Sequence, residues 1–179
     1  TSGVLLLAKK RLALTNLHTQ IRNNQTKKIY LALVPGQWDQ KISKVDLALR
    51  KYVSKAGERR VVIDGANGKP SLTLFKALEV NEQTSLIEAN LKTGRTHQIR
   101  VHLAHINFPI LGDDKYGDFR RNKLFQKYDL KRMFLHAHRF SFTHPKSSEK
   151  ITIESPLPVE LREVMRSIDG AQSNQKQNN

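Results

Sequence analysis

The chain has 179 residues, enough for one domain with a buried core, and it contains no cysteine. This composition excludes disulfides, thiolate metal sites and a cysteine nucleophile, and no apolar run approaches the roughly 20 residues of a membrane-spanning helix. The 31 Lys and Arg residues outnumber the 16 Asp and Glu residues, giving a net charge of +15. That charge favours a polyanionic partner, which releases counterions on binding, and its spread along the chain predicts a basic folded surface.

The first third of the chain predicts a strand, a helix and a second strand. Residues 3–9 are predicted to form a buried strand, because residues 4–8 are the longest apolar run. Residues 12–21 have apolar side chains at helical spacing, and residues 28–34 are rich in strand-forming types. Residues 37–69 are polar and punctuated by glycine, which predicts a loop-rich excursion with a hairpin near residues 65–68.

The remainder of the chain predicts four strands and two helices. Residues 71–80 and 85–91 are predicted to be paired strands, and residues 134–142 and 151–153 to be later ones. Helices are predicted at residues 96–106, with Thr96 as the cap, and at residues 158–168, with Pro158 at the start. The Gln- and Asn-rich residues 170–179 are predicted to be a disordered tail. Because strands and helices do not alternate regularly, the predicted fold class is α+β with a mixed, largely antiparallel central sheet, flanking helices and a basic cleft.

The segment at residues 91–117 has the most informative sequence, LKTGRTHQIRVHLAHINFPILGDDKYG. Gly94 allows a tight turn immediately before the predicted helix. Arg95 lies at this turn, and Arg100 lies one turn into the helix, where basic groups beside a helix N-terminus favour anion binding. Taken alone, the two arginines are more typical of ordinary solvated side chains than of a site.

This segment resembles the signature of the RluA family of RNA pseudouridine synthases, which modify large-subunit ribosomal RNA. Three further segments match in the family's order. They are TSGVLLLAKK at residues 1–10, similar to the sequence after the family's HRLD-x-x-TSG motif, KIYLALVPG at residues 28–36, and LHAH with THP at residues 135–145. The resemblance covers nearly all of residues 1–158, and the basic excursion after Gly117 is similar to that of the C-type subgroup.

The resemblance implies that specific uridines are isomerised to pseudouridine by one aspartate, with no metal and no cofactor. In the family motif this aspartate lies three positions before the threonine matched by Thr1, so we expect it upstream of this sequence. Residues 1–169 are therefore interpreted as an N-terminally incomplete catalytic domain. Arg95 is expected to hold the carboxylate ionised, and Tyr30 to stack on the detached base. Asp113 and Asp114 are expected to have structural roles.

Further residues are predicted to bind RNA or the target base. They are Lys9, Lys10, Lys28, Arg100, Arg120, Arg121, Lys123 and Leu135. Two of them have plain alternatives, because Lys28 also fits a surface lysine and Leu135 a core residue. His102 and His105 lie one turn apart without the acidic partner of a zinc-binding helix. We therefore expect the histidines near the motifs to be hydrogen-bonded supports instead of metal ligands.

Two other functions remain open from the sequence. A non-catalytic, basic RNA-binding module explains the charge, but it gives no reason for the combination of Arg95, Tyr30 and an upstream aspartate. A hydrolase with Thr1 as an N-terminal nucleophile would use the first residue and the strand after it, but no other feature supports it. By its resemblance, the protein is expected to be a monomeric, cytoplasmic enzyme that binds large-subunit ribosomal RNA and no membrane.

Overall fold

A mixed β-sheet forms the centre of the structure, a computed structural model that describes the backbone of residues 1–177 and the side chains of residues 1–171. The strands are β1 (Ser2–Gly3), β2 (Lys27–Pro35), β3 (Lys44–Asp46), β4 (Leu49–Val53), β5 (Arg59–Ile63), β6 (Leu72–Val80), β7 (Thr84–Leu91), β8 (Leu135–Thr143) and β9 (Lys150–Glu154). The helices are α1 (Arg11–Arg22), α2 (Gln98–His105), α3 (Phe119–Phe125) and α4 (Val159–Gln177), and a 3₁₀ turn follows α3 at Gln126–Tyr128.

Within residues 1–177, seven strands form the central sheet in the order β1-β8-β2-β7-β6-β3, and β9 also pairs with β8. All of these strand pairs are antiparallel except β1 with β8. Strands β4 and β5 form a separate antiparallel hairpin. The predicted α+β fold with a mixed, largely antiparallel sheet is therefore confirmed.

Strand β2 lies inside the sheet and is buried on both faces, because successive side chains of a strand point to opposite sides. Ala32 and Val34 pack on one side in a cluster that includes Leu103 of α2. Leu31 and Leu33 pack on the other side in a cluster with residues of α3 and α4. The two helical layers thus cover opposite faces of the sheet. Within residues 1–177, none of the helices combines the length and the apolar character that crossing a membrane requires.

The predicted buried strand at residues 3–9 is wrong. Only Ser2 and Gly3 pair with β8, and the chain then leaves the sheet. Leu5 and Leu7 are 80% and 78% exposed. An apolar run is consistent with a buried strand, but burial also requires a partner strand. Within residues 1–177 no strand pairs with the segment beyond Gly3, although the Val4 N–H still donates to the Ala137 carbonyl.

The excursion at residues 37–69 contains three short strands, so the loop-rich prediction is only partly correct. Its hairpin joins β4 to β5 through residues 54–58, where Gly57 has a φ of +78°. The predicted hairpin near residues 65–68 is wrong, because the Asp64 side chain and the Gly68 amide fold that segment into a tight turn. The other predicted strands, the helix at residues 12–21 and the start of the helix at residues 158–168 agree with the structure within a few residues.

The ends of two helices differ from the predictions. Helix α2 begins at Gln98, after His97 in a left-handed conformation with a φ of +53°, so Thr96 is not its cap. Helix α4 extends beyond residue 168 to Gln177. The disorder predicted for residues 170–179 stays a prediction, and residues 178 and 179 lie outside the described part of the chain.

Candidate active site

The turn before α2 is held in place by the side chain of Gln98, which is 2% exposed. Its Oε1 accepts hydrogen bonds from the Arg95 backbone N–H at 2.9 Å and from the Thr93 hydroxyl at 2.8 Å. Its Nε2 donates to the Leu72 carbonyl and to Thr73 Oγ1, both at 3.0 Å. The buried amide is thereby satisfied on both sides and ties the turn to β6. Sequence reasoning missed Gln98, although an amide beside the Gly94 turn was a visible signal.

A cavity of about 390 Å³, the Tyr30 cavity, lies where β2, β7 and β8 face the start of α2. Tyr30 and Leu135 contribute from neighbouring strands, Arg95 from the turn, and Thr1 from the residue before β1. Leu135 is also buried in the core cluster, so it both lines the cavity and packs in the core, the two positions expected for it. The structure thus brings together Tyr30, Arg95 and Leu135, which are distant in sequence.

The lining of the Tyr30 cavity combines an aromatic ring with a guanidinium group. Burial raises the pKa of Tyr30, so its hydroxyl is protonated at neutral pH. Arg95 Nε donates to the Pro70 carbonyl at 3.2 Å, which anchors the guanidinium from one side. Within residues 1–171 its two Nη groups have no hydrogen-bond partner. The arrangement can stack a planar base and bind an anionic oxygen.

Strand β1 fixes the backbone that borders this cavity. Gly3 has a φ of +103°, and a Cβ at this position would lie 2.2 Å from the Ala137 carbonyl oxygen. Ser2 Oγ lies 3.0 Å from His136 Nδ1, while His136 Nε2 lies 3.0 Å from the Ser155 carbonyl. Since a carbonyl only accepts, His136 Nε2 carries a proton and donates to Ser155. His136 is fully buried, and the expectation of a hydrogen-bonded support is confirmed for it.

Arg100 also borders the Tyr30 cavity, but its guanidinium is already paired. Its Nε and Nη2 donate to the two carboxylate oxygens of Asp113, each at 2.7 Å. Asp113 is 1% exposed and also accepts from the backbone N–H groups of Lys115 and Tyr116. The structure gives Asp113 the structural role expected for it. The guanidinium of Arg100 is paired instead of free, and its predicted contact with RNA stays a prediction.

Tyr116 joins this ion pair to the β4–β5 hairpin. Its hydroxyl accepts from the Val61 backbone N–H at 2.9 Å and lies 3.0 Å from His97 Nδ1. The guanidinium of Arg100 lies over the Tyr116 ring at 5.0 Å from its centroid. Burial, together with the charge of Arg100, lowers the pKa of His97, so its imidazole is neutral at pH 7. Sequence reasoning missed Tyr116, whereas His97 is a hydrogen-bonded histidine of the kind expected near the motifs.

Lys28 is a buried residue, so the alternative of a surface lysine is wrong. It is 8% exposed, and within residues 1–171 its buried Nζ has no hydrogen-bond partner. The Nζ lies beneath the turn, 3.6 Å from where a Cβ on Gly94 would be. Burial lowers the pKa of this ammonium group. The RNA contact predicted for Lys28 stays a prediction.

The remaining predicted RNA contacts are exposed and lie away from the Tyr30 cavity. Lys9 and Lys10 precede α1, and Arg120, Arg121 and Lys123 lie on α3. Their role stays a prediction. His102 is buried, with Nδ1 at 3.0 Å from Thr73 Oγ1 and Nε2 at 3.1 Å from the Leu47 carbonyl, so both ring nitrogens have protein partners.

Comparison with known proteins identifies a family model described as RNA pseudouridylate synthase, which matches residues 1–105. The protein from Yersinia pestis named ribosomal large subunit pseudouridine synthase C is 47% identical over 162 residues, covering 90% of this chain and 50% of the relative. Its namesake from Escherichia coli is 44% identical over 173 residues, covering 96% and 54%. The chain thus spans about half the length of these curated relatives.

Two solved human structures have a similar fold. RNA pseudouridylate synthase domain containing 1 superimposes with a TM-score of 0.69 at 28% identity, over 84% of this chain and 62% of that one. RNA pseudouridylate synthase domain containing 4 gives a TM-score of 0.70 at 21% identity, over 89% and 69%. The second likeness concerns the fold alone.

Proposed function

This chain belongs to the RNA pseudouridylate synthase family, as its motifs predicted, and we propose that it isomerises specific uridines of large-subunit ribosomal RNA to pseudouridine. The observation that carries the proposal is the convergence of Tyr30, Arg95 and Thr1 on one cavity. The names of the C-type relatives support the choice of RNA. We further propose that the enzyme acts in the cytoplasm, where ribosomal RNA is found, and as a monomer, because one chain supplies the cavity lining.

The reaction breaks the bond between uracil N1 and C1′ of the ribose, rotates the base and joins C5 to C1′. The C5 proton leaves, N1 gains a proton, and nothing is oxidised or added. One carboxylate is sufficient as nucleophile or acid–base group. We propose that this group is an aspartate upstream of Thr1, as in the family motif, because Thr1 borders the cavity that contains Tyr30 and Arg95.

The residues of the cavity have complementary roles in this proposal. The free Nη groups of Arg95 bind the carboxylate and keep it ionised, while the Pro70 carbonyl holds the guanidinium in place. Tyr30 and Leu135 provide apolar surface on which the detached base rests while it turns. The target uridine has to leave its stack to enter, and a cavity of about 390 Å³ is large enough for a base.

Substitution of Arg95 in the full-length protein tests the proposal. Arg95 is exposed, so the loss of its charge-assisted hydrogen bonds to the carboxylate should cost about 1.5–3 kcal/mol. Arg95→Ala should therefore lower turnover by about 10-fold to 150-fold. Arg95→Lys keeps the charge but loses the planar fork, and it should recover little of that loss. Lys92→Ala, an exposed substitution on the same turn, is the matched control.

Turnover is measured as tritium release from C5-labelled uridine in ribosomal RNA, and the dissociation constant is measured separately. We expect RNA affinity within about threefold of the parent, because Arg95 is one cation among many. Near-parental turnover by Arg95→Ala would refute its catalytic role. A loss of affinity that matches the loss of rate would make Arg95 a phosphate contact. A full-length parent that binds RNA without turnover would support the alternative of a non-catalytic binding module. The alternative hydrolase with Thr1 as nucleophile gains no support from the comparisons.

A further inference from the structure

A second cavity of about 420 Å³, the hairpin cavity, adjoins the Tyr30 cavity and shares Arg95 with it. It lies between the β4–β5 hairpin, the segment at residues 67–69 and the turn before α2. Its lining residues are Leu49, Arg50, Lys51, Val61, Asn67, Lys69, Gly94, Arg95 and Thr96. The catalytic proposal does not use this space, and the loop interpretation of residues 37–69 concealed it at the sequence level.

The lining of the hairpin cavity is cationic around an apolar floor. Arg50, Lys51, Lys69 and Arg95 line it, and none of its lining residues is acidic. Arg50 is paired with Asp64, whereas within residues 1–171 neither Lys51 nor Lys69 takes part in an ion pair. Leu49 and Val61 are each 4% exposed and form a small apolar cluster with Val101. A ligand that fits this lining has an anionic group and a flat apolar body.

The walls of the hairpin cavity are fixed in position before any ligand binds. Leu49 and Lys69 exchange two backbone hydrogen bonds, at 2.9 and 2.8 Å, which join β4 to the segment at residues 67–69. Asp64 Oδ1 accepts from the Asn67 backbone N–H at 2.9 Å and sets the position of that residue. On the opposite side, Tyr116 binds the Val61 N–H and ties the hairpin to α2. Such rigidity lowers the entropy cost of binding.

We propose that the hairpin cavity binds a nucleotide adjacent in sequence to the target uridine. The phosphate lies between Lys51 and Lys69, the base rests on Leu49 and Val61, and Asn67 contacts the base edge. This inference rests on the proposed function. Arg95 lines both cavities, so an RNA strand whose target uridine enters the Tyr30 cavity can continue past Arg95 into the hairpin cavity. The enzyme then selects its site partly through a neighbouring base.

The test combines protein variants with RNA substrates in which one base is removed. The full-length parent, Asn67→Ala and the double variant Lys51→Ala with Lys69→Ala are assayed on an RNA hairpin and on its abasic versions at the preceding and following positions. Lys55→Ala is the matched control, because Lys55 is an exposed lysine in the turn of the same hairpin and does not line the cavity. KM and kcat are determined from pseudouridine formation.

We expect the double lysine variant to raise KM about tenfold with kcat within about threefold, and Lys55→Ala to raise KM by at most about twofold. Removing the base on one side should raise the parent's KM about tenfold, in line with base contacts of about 1–3 kcal/mol. The same removal should have a clearly smaller effect in Asn67→Ala, because that contact is already weakened.

Three results would overturn the inference while the parent remains active. They are a Lys55→Ala effect equal to that of the double lysine variant, equal sensitivity of parent and Asn67→Ala to the abasic positions, and no sensitivity at either position. Failure of the proposed function is a separate outcome, in which the parent makes no pseudouridine on any substrate. In that case the dissociation constants of the same RNAs report binding at the hairpin cavity directly. The comparisons among the parent, Asn67→Ala, the double lysine variant and Lys55→Ala then support or overturn the inference.

Discussion

Replacing Asp113 with Asn should destabilise the protein, because it leaves Arg100 without its counter-ion. Asp113 is 1% exposed, the Arg100 side chain is 14% exposed, and two charge-assisted hydrogen bonds of 2.7 Å join them. Removing one partner of a buried pair costs about 3–5 kcal/mol. Partial exposure of Arg100 reduces this cost, so we expect a loss of about 2–4 kcal/mol in the free energy of unfolding. For a chain of this size the melting temperature should fall by about 4–16 °C.

The same carboxylate gives the prediction a pH dependence. Burial raises the pKa of Asp113, but the hydrogen bonds from Arg100 and from the Tyr116 and Lys115 backbone outweigh burial and hold the pKa below its usual value. A lowered folded-state pKa contributes stability that is present above the unfolded pKa of about 3.9 and is lost as the pH falls through the folded value. The gap between parent and Asp113→Asn should therefore narrow as the pH falls below about 4.

Urea unfolding at pH 7 and at pH 3 measures both effects. A difference below about 1 kcal/mol at pH 7, or an equal difference at both pH values, would refute the reasoning. The double variant Arg100→Met with Asp113→Asn is the internal control. It should cost less than the sum of the two single substitutions, because either one removes the same pair.

Three further substitutions or conditions test other parts of the structure. Lys28→Met should raise the free energy of unfolding by about 1–2 kcal/mol at pH 7, because it removes a buried ammonium group without a partner. Burial lowers the pKa of Lys28, so the stability of the parent should rise relative to that of Lys28→Met as the pH rises towards 10. Thermal unfolding measures this difference, and a difference that does not change with pH would contradict the prediction. Gly3→Ala should lower the free energy of unfolding by about 1–3 kcal/mol, because the added Cβ would collide with the Ala137 carbonyl. The Val4 amide, which donates to that carbonyl, should also lose its protection from hydrogen exchange. RNA affinity should fall steeply across a salt series, Arg120→Ala should lower the slope by about one, and a flat response would contradict the basic-surface prediction.

The sequence predicted the central strands because their patterns are local. Strand β2 is a run of strand-forming residues between loop-forming segments, and its apolar character follows from its position inside the sheet. Residues 3–9 have a similar apolar character but extend beyond the last paired residue, and only a partner strand would bury them. The start of α2 was misplaced because a buried Gln98 side chain, and not a cap at Thr96, satisfies the turn.

Only the motif residues of the candidate site were predictable from the sequence. The KIY and TGR motifs identified Tyr30 and Arg95, which line one cavity. The pairing of Arg100 depends on Asp113 from a later loop, and the burial of Lys28 depends on the turn above it. Both contacts are tertiary, so charge and spacing alone predicted solvent-accessible cations in both positions.

The proposed isomerisation uses no external reactant, so it depends mainly on how the reacting groups are positioned. Each wall of the Tyr30 cavity is held by a separate buried polar group that does not itself need to touch the base. Gln98 holds the turn of Arg95, His136 holds Ser2 beside Thr1, and Asp113 holds Arg100 and, through Tyr116, the hairpin. Each of these groups is hydrogen-bonded on two or more sides, so we expect its substitution to shift a wall of the cavity without removing a reacting atom. If the proposed function holds, such a shift should lower the rate of the reaction more than the affinity for RNA, because we expect that affinity to be distributed over many exposed cations.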